Sequence, residues 1–148
     1  MKNCQEIMTK NPECCLASDK VYTIAQRMQS EDIGALPVVE NHTTKKLIGI
    51  VTDRDLAIRV VGASRDATNT NVSDVMTPDP VFCHPTDNLD TTLELMASHQ
   101  IRRIPVVDRD RHVVGIIAQA DLAMRLDNLD KVGEVVEQIS QPDLVSAP

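Results

Sequence analysis

The stretch Gly49-Ile50-Val51-Thr52-Asp53-Arg54-Asp55 decides the reading of this chain, because it returns as Gly115-Ile116-Ile117-Ala118-Gln119-Ala120-Asp121. Each copy opens on a glycine, runs through apolar β-branched residues, and places a small residue three positions after the glycine and an aspartate three further on. Leu47 to Val51 reads as a buried strand. Thr52 stands where a helix N-cap belongs, with Asp53 and Asp55 in the first turn, where carboxylates suit the helix dipole. An apolar helix, Leu56 to Val61, follows. A strand running into such a helix start offers free backbone N–H groups that suit a phosphate. It also offers a hydroxyl, and a carboxylate able to accept two hydrogen bonds from a ribose diol.

The echo extends far beyond these residues. Asn3 to Glu40 aligns without a gap on Asn71 to Asp108, at an offset of 68. Met8-Thr9 falls on Met76-Thr77, Pro12 on Pro80, Asp19 on Asp87, Met28 on Met96, and Pro37-Val38-Val39 on Pro105-Val106-Val107. The offset then drops to 66, so two extra residues lie in the loop around Asn41 to Lys46. A surface loop absorbs such a change at little cost. The chain is two copies of one unit, at 3–61 and 71–126, joined by a polar linker at 62–70 and followed by a C-terminal amphipathic helix and tail at 127–148.

Each copy is short for an independent core, so the two should pack face to face. Aromatic residues make up 1% of the 148, Tyr22 and Phe82 alone, so the core must be aliphatic and there are no stacking platforms for single-stranded nucleic acid. A net charge of -7 disfavours phosphate backbones. The N-terminus shows no apolar signal region and no run approaches membrane-spanning length, from which a cytoplasmic protein is expected. Cys4, Cys14, Cys15 and Cys83 form no C-x-x-C pair, which argues against structural zinc. His/Asp/Glu spacing for a metal is not expected, nor is a catalytic nucleophile, a P-loop or a dinucleotide fingerprint.

Within each copy the pattern predicts a short helix, a strand, an amphipathic helix, two strands and the capped helix. In the first copy these are a helix at 3–8, a strand at Glu13 to Leu16, and a helix capped by Ser18-Asp19 whose apolar face is Val21, Ile24, Ala25 and Met28. Ile33-Gly34 closes that helix, and Leu36 to Val39 is the next strand. In the second they are a strand near Val81-Phe82-Cys83, a helix from Asn88 to His99, strands at Ile104 to Val107 and His112 to Ile117, and a helix from Ala118 to Leu126. Val132, Val135, Val136 and Ile139 fit a further amphipathic helix.

The pattern Met-Thr, Pro, Asp, helix, Ile-x-x-x-Pro-Val-Val-acid, Gly-apolar-apolar-(Thr)-x-x-Asp resembles the CBS domain, and two in tandem resemble a Bateman module, over residues 3 to 126. The resemblance implies an α+β fold: two β-α-β-β-α repeats packed through their sheets about a pseudo-twofold axis, with two clefts between them. Such clefts commonly take AMP, ADP, ATP or S-adenosylmethionine. Such modules often form homodimers and are mostly regulatory, without chemistry of their own. The ligand is then regulatory rather than a required cofactor, the effector protein is unknown, and neither membrane nor nucleic acid is expected as a partner. The competing reading is a dimerisation or interaction module without ligand binding.

By that resemblance Thr52 contacts a phosphate or ribose and Asp55 the ribose hydroxyls. Helix capping alone would also account for the pair, at about 1 kcal/mol each. Ala118 replaces the hydroxyl in the second copy while Asp121 remains, so the two clefts should be unequal and the one at Thr52 the better site. His99, Arg102 and Arg103 form a second cluster, and a guanidinium fork suits a phosphate. Gly34 and Ala35 stand opposite the two arginines in the first copy, so phosphate contact at the Thr52 cleft requires the arginines to lean across the pseudo-twofold. Asp53 flanks the site. Leu36, Pro37 and Pro105 are candidates for an apolar wall against adenine, or for ordinary core strand.

Overall fold

The computed structural model describes residues 2–125. Its elements are β1 (Thr9–Lys10), β2 (Cys15–Leu16), α1 (Val21–Glu31), β3 (Ala35–Val39), β4 (Leu47–Thr52), α2 (Asp53–Leu56), β5 (Thr77–Pro78), α3 (Leu89–His99), β6 (Arg103–Val107), β7 (Val113–Ala118) and α4 (Gln119–Arg125). Single 3-10 turns at Cys4–Glu6 and Val72–Asp74 precede β1 and β5. The C-terminal helix expected around Val132 to Ile139 lies outside the described residues, as does the end of the helix expected to reach Leu126.

The strands make two sheets, in the orders β2-β3-β4-β5 and β1-β7-β6. In each, an antiparallel hairpin supplies the longest pairing: Leu36 faces Val51 in one, and Ile104 faces Ile117 in the other. The first strand expected in the second copy shrinks to one parallel bridge, Cys83 to Val106, at the place where Cys15 of β2 meets Val38. Pro80 and Pro85 flank it and bring no N–H to a ladder. Cys83 still uses its own N–H on the Pro105 carbonyl and its carbonyl on the Val107 N–H.

The sheets are not built from one copy each. β1, from the first copy, pairs antiparallel with β7 of the second, Thr9 opposite Ile116. β5, from the second, pairs with β4 of the first, Thr77 opposite Ile50. The sequence boundaries 3–61 and 71–126 therefore do not coincide with the packed halves: the opening segment of each copy has crossed over. Gly49 and Gly115 permit the approach, since a Cβ on Gly49 would stand 2.7 Å from Met76 Sδ and one on Gly115 would collide with Met8. The cores follow the crossing. Cys4, Ile7 and Met8 pack with Leu93, Met96 and Ile117, whereas Val72 and Val75 pack with Ile24, Leu36 and Val51. A third cluster, Cys14, Val39, Leu47, Val107 and Val113, lies on the seam between the hairpins. There Leu47 N–H donates to Arg111 and Val113 N–H to Lys45.

Three local expectations need correction. α1 is preceded by Lys20 at the cap position, with no side-chain cap, because the Asp19 carboxylate instead accepts from Leu16 N–H at 2.9 Å and ties the preceding turn. The helix ends at Asp32, which takes the left-handed conformation (φ 54°), rather than at Ile33-Gly34. The helix after the motif is α only to Leu56, and Ala57–Val61 continues it as a wider π-turn. Gly62 N–H closes that turn on the Ala57 carbonyl at 2.8 Å, and a Cβ at Gly62 would stand 2.7 Å from the Ile58 carbonyl. No helix among the described residues is long and apolar enough to cross a membrane.

Candidate functional site

β4 delivers Thr52 to the start of α2 as its N-cap. The Thr52 hydroxyl accepts from Asp55 N–H at 3.1 Å, and Asp55 Oδ2 accepts from Thr52 N–H at 2.9 Å. This reciprocal capping box satisfies two otherwise orphaned donors. The remaining early donors are also engaged: Asp53 N–H reaches the Gly34 carbonyl at 2.9 Å, and Arg54 N–H reaches Asp53 Oδ1 at 2.8 Å. The expected free N–H cradle for a phosphate is therefore absent here, because the acidic first turn and the neighbouring strand have taken its donors. What this junction can still offer is the Thr52 hydroxyl as a donor and Asp55 Oδ1 as an acceptor.

The cation comes from the other copy. Arg103, at the start of β6, places Nη1 3.4 Å from Asp53 Oδ1. It lies over Gly34, where a Cβ would collide with the guanidinium and stand 2.9 Å from Asp53 Oδ2. The arginine thus crosses to the first copy, and only a residue without a side chain at position 34 leaves it room. Arg102 is exposed, and its carbonyl accepts from Gln119 N–H at 2.9 Å, as the Gly34 carbonyl accepts from Asp53. His99 turns back on its own helix, with Nδ1 3.0 Å from the Leu95 carbonyl, and is not brought to Thr52 by any contact described.

Leu36 and Pro37 do not share a face. Leu36 and Val38 sit in the core with α1, so Pro37 between them looks to the opposite side of β3. Of the two roles open to it, Leu36 takes the core one. Pro37 and Pro105 are both buried and stand opposite Ile50 and Ile116.

In the second copy Asp121 Oδ2 accepts from Ala118 N–H at 2.9 Å, repeating the cap without its hydroxyl. A hydroxyl arrives from elsewhere: Thr9, on the crossing β1, donates to Asp121 Oδ1 at 3.4 Å. Beside it lies an open depression of about 650 Å³ lined by Gln5, Glu6, Met8, Thr9 and Lys10.

Two residues were missed from sequence. Thr9 is one; its role depends on the crossing, which leaves no local signal. Arg59 is the other: Nε lies 3.9 Å from Asp55 Oδ1, and Nη1 donates to the carbonyls of Val75 and Met76. It links the site aspartate to the crossing segment, and the i,i+4 spacing from Asp55 was its signal. The turn after β6 gathers Asp108, Asp110 and His112 with ligand atoms within 4.8 Å of one another. Asp108 is already engaged there, accepting from the N–H groups of Asp110 and His112, both at 2.9 Å.

Two equivalent strand-to-helix junctions, each with an aspartate accepting from the backbone N–H three residues before it and related by crossed edge strands, define a tandem pair of α+β repeats. The CBS domain family model matches residues 4–62 and 72–128, and the chain belongs to that family. It is 35% identical to the CBS domain-containing protein YhcV of Bacillus subtilis, over 97% of this chain and 99% of that one. It is 30% identical to hypoxic response protein 1 of Mycobacterium tuberculosis, over 85% of this chain and 86% of that one. Among solved structures it resembles the CBS domain pair of protein MJ0100, which was crystallised with 5'-methylthioadenosine and S-adenosyl-L-methionine. That likeness has a TM-score of 0.76 at 26% identity and covers 84% of this chain and 94% of that one.

Proposed function

We propose that this chain is a regulatory module, without chemistry of its own, that binds an adenosine-containing ligand at the Thr52 junction. AMP, ADP, ATP and S-adenosylmethionine are the candidates. The observation that carries the reading is the meeting of Arg103 from one copy with the Thr52-Asp53-Asp55 turn of the other. Asp55 Oδ1 would accept from the ribose diol, the Thr52 hydroxyl would donate to ribose or phosphate, and Arg103 would move from Asp53 to a phosphate. The adenosine ligands of the MJ0100 pair support the class of ligand. Because the site draws on both copies, a ligand that favours one arrangement of them shifts that equilibrium by its differential affinity. A partner protein or a homodimer would read the shift.

The test is isothermal titration of the full chain with AMP, ATP and S-adenosylmethionine, repeated on Asp55→Asn, which keeps an acceptor for Thr52 N–H. Saturable binding weakened about tenfold in the variant, the order expected for one charged hydrogen bond, is the expected result. Absence of heat from folded protein with all three ligands would overturn it.

A second reading, an interaction module, is favoured by one observation. Ile58 and Val61, on the turn after α2, are 48% and 78% exposed, and Tyr22 of the adjoining α1 is 48% exposed. Sedimentation equilibrium of the wild type and Val61→Asp tests it. Loss of a dimer in the variant, together with absent ligand binding, would favour this reading over the first.

A further inference from the structure

The two halves repeat each other closely enough that a departure from the repeat is informative. In the half built on β4, the positions of Val72, Cys15 and Ile24 meet in the core with α1. Their counterparts in the other half are Cys4, Cys83 and Thr92. An aliphatic group and a thiol thus pack well at this site, and a second thiol with a hydroxyl is not needed to fill it. In the second half Cys4 and Cys83 belong to one buried cluster, and Thr92 Oγ1 lies 3.1 Å from Cys4 Sγ. All three residues are buried.

We propose that Cys4 and Cys83 are a dithiol that closes to an intramolecular disulfide by exchange with a low-molecular-weight disulfide. Cys4 attacks first: its thiolate displaces one thiolate from the small disulfide and leaves a mixed disulfide on Cys4. Cys83 then attacks the Cys4 sulfur and releases the second small thiolate. Two protein thiols are oxidised, one small disulfide is reduced to two thiols, and the two protein protons end on those thiols. The order of attack fits the environment. The neighbouring Cys83 thiol, aided by Thr92, lowers the Cys4 thiol to about 7, whereas Cys4 and burial push Cys83 upward. Cys15, which has no such partner, is pushed up to about 12 by burial. Both thiols of the pair are enclosed, so exchange proceeds through local opening of the segment that carries Cys4.

The bond has a structural consequence. Cys4 lies in the crossing segment, held by its own N–H to the Asp87 carbonyl at 3.1 Å. The segment continues into β1, whose Thr9 touches Asp121. A Cys4–Cys83 disulfide would staple that segment onto the other copy and hold β1 against β7.

The experiment uses the full chain equilibrated with mixtures of reduced and oxidised glutathione, then denatured, alkylated and mapped by mass spectrometry. The expected result is a fall from four alkylatable cysteines to two, with one linked peptide joining Cys4 to Cys83, and a raised melting temperature. The double variant Cys4→Val, Thr92→Ile, which copies the residues of the other half, should fold and show neither change. A linkage through Cys14 or Cys15, a stable glutathione adduct on a single cysteine, or four alkylatable cysteines in the most oxidising mixture would each overturn the proposal. The wild-type peptide map decides it even where the double variant fails to fold.

Discussion

Arg103 Nη1 of the second copy lies 3.4 Å from Asp53 Oδ1 of the first, over a glycine that leaves it room. The Asp53 side chain is 60% exposed, so solvent screening keeps the pair within about 1 kcal/mol of stability. Its effect should appear in binding. Arg103→Ala is expected to weaken AMP about tenfold and leave adenosine unchanged, as for a lost charge-assisted bond to phosphate. Titration with both ligands checks this; equal loss for both would sink the phosphate role.

Gly34→Ala is the complementary test. Its Cβ meets the Arg103 guanidinium, the end of a flexible side chain, so the fold should tolerate it. Denaturant midpoints should move little, while AMP affinity falls as in Arg103→Ala. A variant that binds AMP like the wild type would show that the position of Arg103 is immaterial.

Thr52→Ala removes the acceptor for Asp55 N–H and should cost about 1 kcal/mol in urea unfolding. Thr52→Ser should restore it. Serine without rescue would mean that the threonine methyl, not the cap, matters.

The crossing makes a strong demand on Gly115. A Cβ there collides with Met8 Sδ and stands 3.1 Å from Met8 Cβ. Gly115→Ala should destabilise by about 1–3 kcal/mol, the usual range for overpacking. Met8→Ala should relieve part of that, so the double-mutant cycle should show coupling. Additive effects would mean that the two do not compete for the same space.

Asp108 gives a pH dependence. The His112 N–H, joined by that of Asp110, holds its carboxyl below the usual carboxylate range. A group depressed in the folded state stabilises above its unfolded pKa, and that contribution is lost as pH falls through the folded value. Asp108→Ala should therefore lower the urea midpoint at about pH 7, and the gap to wild type should close in strong acid. A gap independent of pH would assign the effect to the turn rather than to its charge.

The repeat and both strand-to-helix junctions were legible because they depend on local chemistry: alternation, an N-cap threonine and acids in a first turn. Thr52 caps as its spacing predicts. What the sequence hid was non-local. Nothing in Met8-Thr9-Lys10 announces that it pairs with residues beyond position 110 rather than with its own copy. Asp19 carries a cap signature, yet its carboxylate is taken by Leu16 N–H. The donors expected for phosphate were miscounted because Gly34 and Asp53 each claim one. For Leu36 the sequence left wall and core both open, because the face it takes depends on packing: it lies in the core with α1.

The exchanged edge strands also bear on how such a chain could arise. Cut within 62–70, neither fragment would hold the edge strand that completes its own hairpin. Each could recover one only by trading segments with another molecule, as in domain swapping. A single ancestral repeat would then have been a reciprocal dimer, and its duplication made that dimer covalent. The linker turned an encounter dependent on concentration into one always at hand. Two separately expressed fragments should accordingly fold only on association, with a like copy or, when mixed, with each other, and not as monomers. Independent folding of either would break the link between the crossing and that origin.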